Sequence, residues 1–316
     1  MGNACDCALD SVLVDGDARV ILRVDYTPIV DATGAIVSGL KVGDQLTILS
    51  TRKVGGLDPL GWRYRDDVRP YWPQDYRFQV PRITLLASVI SRDQRETQCV
   101  LQMPAPIDDR TMTNARLHME DAEAAAIYAS KFNSQMIRAM GVNMEMGMPG
   151  EAPPSLKVCA PVACEVLQSS SPQEFARGQA CILTPYAFRE VHKFVFMGGE
   201  DFLEVPQAFF HHAAHTSGGS EFVCDIQGME DDRGEIQILD PVILRAEQHK
   251  LQQYISTYMA TQAGKTLAPG ASGDLGPTEE RFDRLHPHCG GLCQSFDPGR
   301  RGAKGKKGLC GITCMN

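Results

Sequence analysis

Short apolar runs broken by glycine and aspartate fill the first quarter of the chain. Between Ala18 and Phe78, ARVILRVDY, LTILS and WRYRD carry the β-branched and aromatic residues of strands, while ATG, VGD and VGGLDPLG supply turns. Several short strands so close together predict a small β-barrel. Strand-like runs continue in RITLLASVI and TQCVLQM. Then the period changes. DDRTMTNARLHMEDAEAAAIYASKFNSQMIRAM is alanine-rich and sets Ala125, Tyr128, Ala129 and Phe132 at helical spacing, which predicts one long helix. The loop NMEMGMPGEAPPS ends it, and KVCAPVACEVL and ACILTPYAF read as strands again. Residues 206–241 follow with a histidine cluster, a Ser-Gly-Gly turn, an apolar run ending in Asp-Ile-Gln-Gly, and an Asp-Pro step. From Phe296 the chain turns basic and glycine-rich (DPGRRGAKGKKG), a composition expected to stay disordered.

Composition narrows the class. The 316 residues leave room for two domains, and 43% hydrophobic with 22% charged residues is the balance of a globular protein. A net charge of −8 argues against a general nucleic-acid binder. No apolar run approaches the roughly 18 residues of a bilayer span. The start, MGNACDCALDSVLVDGDARV, lacks the apolar core of a secretory signal, so a cytoplasmic location is expected. Cys5 and Cys7 behind Gly2 raise lipidation as an alternative to a frayed terminus, and membrane contact is expected only with that modification. Eleven cysteines cannot all pair internally, and without a secretory signal metal ligation is expected over a disulfide framework. Cys99, Cys159, Cys164, Cys181 and Cys224 sit singly in apolar surroundings and read as core residues. Cys289 with Cys293, and Cys310 with Cys314, have the close spacing of metal ligands.

The chemistry concentrates in residues 206–241. Asp225 follows Phe222-Val223-Cys224 directly, Gln227 lies two residues on, and Asp240 stands between Leu239 and Pro241. Two acids at a strand end and a nearby loop can hold Mg2+ through oxygen ligands and face a phosphate. One of them can also orient or deprotonate an attacking hydroxyl. Spacing alone also allows a turn acid at Asp225 and a pre-proline cap at Asp240.

Pro-Gln-Ala-Phe, His211, Ser217-Gly218, Asp225-Ile226-Gln227-Gly228 and Asp240-Pro241 together resemble the core of the alpha-kinases, the atypical protein kinases that include the myosin heavy chain kinases. Residues 206–228 match without a gap. YASKFN upstream resembles the family's helix ending in Phe-Asn, and GDLGPTEERFDRLHPHCGGLC downstream resembles its closing glycine loop and His-Cys-Cys element. The resemblance implies an α+β, two-lobed, protein-kinase-like fold with a structural zinc in the C-terminal lobe, and ATP and Mg2+ as cofactors. It implies Asp225 as the acid-base group, with Gln227 and Asp240 as magnesium ligands. Asp274, Leu275 and Gly276 then stand where the family's loop approaches substrate or nucleotide. For zinc, His211, Cys289 and Cys293 fall in register. The slot of the second histidine is Pro287, between His286 and His288, with His288 slightly preferred.

The sequence departs from the family in the N-terminal lobe. Gln102 occupies the slot of the lysine that neutralises ATP phosphates, and Thr184 stands where a glutamate is expected. Lys131 or Arg95 are the alternatives for the missing cation. The turn MEDDRGEIQ between the two acids is longer and more acidic than the family's. Ahead of this region, VDYTP, LKVGDQLTIL, GWRYR and WPQDY resemble an SH3 domain. That resemblance implies a small all-β barrel in which Tyr26, Trp62, Pro73 and Tyr76 form a floor for proline-rich peptides, unless these aromatics only fill the barrel. The expected organisation is an arm at 1–16, an SH3-like domain at 17–80, an alpha-kinase domain at 81–295 and a basic tail at 296–316. The expected activity is transfer of the ATP γ-phosphate to a protein serine or threonine, with partners chosen by the SH3-like domain. The alternative is a pseudokinase scaffold that has lost the nucleotide lysine and acts as a protein-binding module.

Overall fold

A computed structural model describes residues 19–27, 40–52, 82–91, 95–144, 155–185, 192–195, 203–224, 226–231, 234–239, 241–246, 277, 279–286 and 289–297. Six strands close on one another in the order β1-β2-β3-β4-β7-β6. They are β1 (Val20–Tyr26), β2 (Gln45–Arg52), β3 (Arg82–Ser91), β4 (Glu96–Pro104), β6 (Val162–Ser169) and β7 (Ala180–Pro185). The period of two decides what fills this barrel. In β4, Cys99, Leu101 and Met103 point inward to join Leu22, Ile48 and Phe175, while Val100 between them packs on the outer face. Cys164 and Cys181 are also interior, as expected for core thiols, and burial pushes Cys99 and Cys181 up to about 12.

This sheet corrects the expected domain boundary. Both edges of β1 and of β2 are used within it: β1 pairs with β2 and β6, and β2 with β1 and β3. The two strands read as the start of a separate SH3-like barrel over 17–80 therefore belong to the same closed sheet as β3, β4, β6 and β7. Hydrophobic alternation fixes which face of a strand is buried, not which partner strand completes the sheet.

The predicted long helix is α1 (Met112–Met144), 33 residues and so about 50 Å long. Its small side chains let it lie close to two different cores. Near its start Ala115 and Met119 rest on the outer face of the barrel, against Ala163, Ala180 and Ile182. Farther along, Ala122, Ala125, Ala129, Phe132 and Met136 enter the core of the second lobe. That lobe holds β5 (Leu156–Val158), β8 (His192–Val195), β10 (Ile226–Glu230) and β11 (Ile236–Leu239) in the order β5-β11-β10-β8. A separate pair joins β9 (Glu221–Cys224) to β12 (Val242–Arg245). The two antiparallel ladders keep one register, Cys224 opposite Val242 and Gln227 opposite Leu239. We call β9 to β12 together the ribbon; residues 225 and 240 lie outside the described residues.

The histidine cluster of the sequence lies on α2 (Glu204–Thr216). Gly218 and Gly219, at φ 63° and 81°, then turn the chain into β9, with the Ser217 hydroxyl accepting the Glu221 N–H at 3.1 Å. Two short helices, α3 (Glu279–Leu285) and α4 (Gly291–Gln294), close the lobe. The lobes meet where Leu86 and Val100 of the barrel pack on Met229 and Leu239 of the ribbon. Among the described residues no helix is long and apolar enough to cross a membrane.

Candidate functional site

His211 on α2, His286 just after α3, and Cys289 and Cys293 around the start of α4 bring four ligand atoms within 4.8 Å of one another. Cys289 Sγ lies 3.4 Å from His211 Nδ1 and 3.3 Å from His286 Nε2, and Cys293 Sγ lies 3.5 Å from that same Nε2. Zinc bonds of about 2.0–2.3 Å to nitrogen and sulfur set tetrahedral edges of about 3.3–3.8 Å, so these spacings fit a zinc ion. Each imidazole is also held from its other side. His211 Nε2 meets the Asp297 carboxylate at 3.2 Å, and His286 Nδ1 meets the Gln207 amide oxygen at 2.9 Å. Both partners accept, so they fix the tautomer that leaves a lone pair facing the thiols. Gln207 is itself anchored, its amide donating to the Phe194 carbonyl at 3.0 Å.

The thiols titrate as a pair. Hydrogen bonding from Cys293 drives Cys289 down against the opposing effect of burial. Its bond to Cys289 together with burial drives Cys293 up. A lowered Cys289 thiol suits thiolate ligation. Phe282 and Phe296 stand edge-on to His211 with centroids 5.2 Å away and shield the group. Among the described residues the second histidine of the cluster is His286; His288, the slightly preferred alternative, lies outside them. His286 is positioned because the end of α3 and Gln207 orient its ring, neither of which spacing reveals. His212, the neighbour of His211 on α2, is buried against Gln135, and burial lowers it to about 4. Gln207 and Asp297 escaped the sequence reading, although Gln207 stands within the Pro-Gln-Ala-Phe motif and Asp297 follows Cys293 by one helical turn.

The ribbon carries a different signature. Gln227 is 0% exposed, and neither its amide nitrogen nor its oxygen has a hydrogen-bond partner. A buried amide left unpaired costs about 1–3 kcal/mol, and Gln227 stands between Asp225 and Asp240 in the sequence. Asp225 and Asp240 themselves, with Asp274 and Gly276, lie outside the described residues. Gly228 explains why the motif ends in glycine. A Cβ there meets the Gln237 carbonyl oxygen at 1.9 Å, so Gly228→Ala forces β10 and β11 apart. The expected loss is about 3 kcal/mol or more, read from the denaturant midpoint; an unchanged midpoint contradicts the close approach.

On the barrel, Thr184 is buried opposite Val100, and Gln102 is buried opposite Ile182. Gln102 lines a cavity of about 10 Å³ together with Asn114 and His118 of α1. The lysine slot is thus covered by α1. Of the alternative cations, Arg95 is exposed before β4. Lys131 lines an open concavity of about 800 Å³ with Arg138, His212 and Thr216, none of them from the barrel or the ribbon. Of the expected peptide floor, Trp62, Pro73 and Tyr76 lie outside the described residues. The fourth member, Tyr26, donates to Glu123 of α1 at 2.7 Å, and burial raises its hydroxyl to about 12.

Comparison with known proteins places these observations. The sequence profile of the alpha-kinase family matches residues 79–262. Among solved structures, an alpha kinase from Entamoeba histolytica is similar with a TM-score of 0.47 and 14% identity, covering 93% of this chain and 94% of that one. The alpha-kinase domain of myosin-II heavy chain kinase A has a TM-score of 0.47 and 14% identity, covering 89% and 96%. The same domain in complex with AMP-PNP has 0.45 and 14%, also covering 89% and 96%. No curated protein matches the chain.

Proposed function

The chain belongs to the alpha-kinase family, and from that premise we propose that it transfers the γ-phosphoryl group of ATP to a protein serine or threonine. The observation that carries this reading is Gln227, a fully buried amide with both polar atoms unpaired, in the segment between Asp225 and Asp240. Bound Mg2+ would neutralise phosphate charge as the phosphoryl group leaves. Gln227 offers its amide oxygen and Asp240 its carboxylate as the ligands that hold the ion, and Asp225 accepts the proton of the attacking hydroxyl. The His211, His286, Cys289 and Cys293 group holds zinc structurally, because four protein ligands leave no open position for chemistry.

One observation favours the second reading, a pseudokinase scaffold. Gln102 is uncharged and lies under α1, so it brings no cation to phosphate. Of the residues expected to receive proline-rich partners, Tyr26 alone lies among the described residues, its hydroxyl bonded to Glu123. Incubation with labelled ATP and Mg2+ beside an Asp240→Ala control decides between the two. Phosphate incorporation by the wild type and none by the variant supports the kinase; equal absence of signal supports the scaffold.

A further inference from the structure

The ribbon is held by α1 at two places, one on the β9/β12 ladder and one through β5 on β11. On one side, Asp121 is 0% exposed and its two carboxylate oxygens are both engaged. Oδ2 accepts the backbone N–H of Ile243 at 3.1 Å, and Oδ1 accepts from Arg245 Nη1 at 2.6 Å. Arg245 Nε donates to Glu221 Oε1 at 2.9 Å, and the Tyr128 hydroxyl donates to Glu221 Oε2 at 2.5 Å. Arg245 and Glu221 are direct cross-strand partners at the base of the β9/β12 ladder, so this network grips both strands at once. Asp121 and Tyr128 sit two turns apart and therefore on one face of α1. On the other side, Asn133 of α1 pairs doubly with the backbone of Leu156, at 2.8 and 3.0 Å, and Leu156 pairs with Ile236 of β11.

Asp225 follows Cys224 and Asp240 precedes Pro241, so both lie between these tethers in the sequence. The same helix rests on the barrel through Ala115 and Met119. We propose that Asp121 is a positioning residue for phosphoryl transfer: through Ile243 and Arg245 it sets the ribbon, and with it Asp225 and Asp240, against the lobe on the other side. The proposal rests on the kinase reading above. Its physical basis is that a buried carboxylate bonded to a backbone amide and a guanidinium tolerates little displacement.

The test is Asp121→Asn, whose amide oxygen can still accept the Ile243 N–H but which withdraws the charge facing Arg245. Tyr128→Phe is the milder second variant, and Arg138→Ala, on the exposed side of α1, is the control. Hydrogen exchange is expected to accelerate at the amides of Cys224, Gln227, Leu239 and Val242 while β1 to β4 stay unchanged. The Mn2+ affinity measured with a non-hydrolysable ATP analogue and the kcat should both fall about tenfold to a hundredfold, as when supporting partners of metal ligands are lost. Arg138→Ala should match the wild type throughout. A uniform rise in exchange with Mn2+ affinity unchanged overturns the proposal and leaves Asp121 a stabilising residue only. Wild type that binds Mn2+ yet transfers no phosphate sinks the kinase reading separately; the local exchange and Mn2+ affinity of Asp121→Asn still decide the positioning.

Discussion

Cys293→Ala is expected to release the bound metal and to unfold the C-terminal lobe. The helices that carry the ligands cannot stand alone: α3 has seven residues and α4 four, far below the length at which an isolated helix is stable. Their buried side chains, Phe282, Leu285 and Cys293, belong to the same core as α1, α2 and the ribbon. Detaching them opens that core to water. Zinc binding to structural sites is worth about 10–16 kcal/mol in zinc-finger peptides, as much as the whole stability of many domains. Removing a thiolate leaves an incomplete site and a hole where Cys293 was packed. Metal content per chain and far-UV circular dichroism are the measurements. A wild type without stoichiometric metal, or a variant that keeps both its metal and its melting temperature, contradicts the assignment. A strong chelator should reproduce the variant in the wild type, separating loss of metal from loss of the side chain.

The two halves of the fold were legible to different degrees for physical reasons. Cys289 and Cys293 stood out by their local spacing, whereas His211, far away in the sequence, came only from the family resemblance; the fold brings it to His286 and the two cysteines. Helix α1 was visible because Ala125, Tyr128, Ala129 and Phe132 repeat at the helical period over a long segment. The six-stranded barrel was not, because β1 pairs with β6 across more than a hundred residues, and no local pattern encodes that closure. Asp121, Arg245 and Glu221 were equally hidden. Each is an ordinary charged residue in an ordinary context, and only the fold brings a helix carboxylate to the base of a hairpin. Gln227 was legible as a motif residue, but its unpaired amide, the feature with chemical content, appears only in the packed protein.

That unpaired amide predicts a change of sign. Gln227→Met removes two unsatisfied polar atoms from a site that is 0% exposed and replaces them with an apolar chain of similar shape. Without ligand, the variant should be more stable than the wild type by about 1–3 kcal/mol, the desolvation penalty that the amide carries. Adding Mg2+ and a non-hydrolysable ATP analogue should reverse the order. A ligand that binds only the folded protein stabilises it in proportion to the logarithm of its concentration over Kd; the wild type should gain about 2.7 kcal/mol at a hundredfold excess over Kd, and the variant much less. Phosphate transfer should fall with the lost ligand. Thermal melts of both proteins, each with and without nucleotide and metal, give the four numbers needed. If Gln227→Met is the less stable protein without ligand, the amide has a structural partner and the site loses its principal support. If both proteins gain equally from nucleotide, the ligand binds without Gln227. Only crossed stabilities, more stable empty and less stable loaded, match a side chain kept unsatisfied for the sake of what it holds.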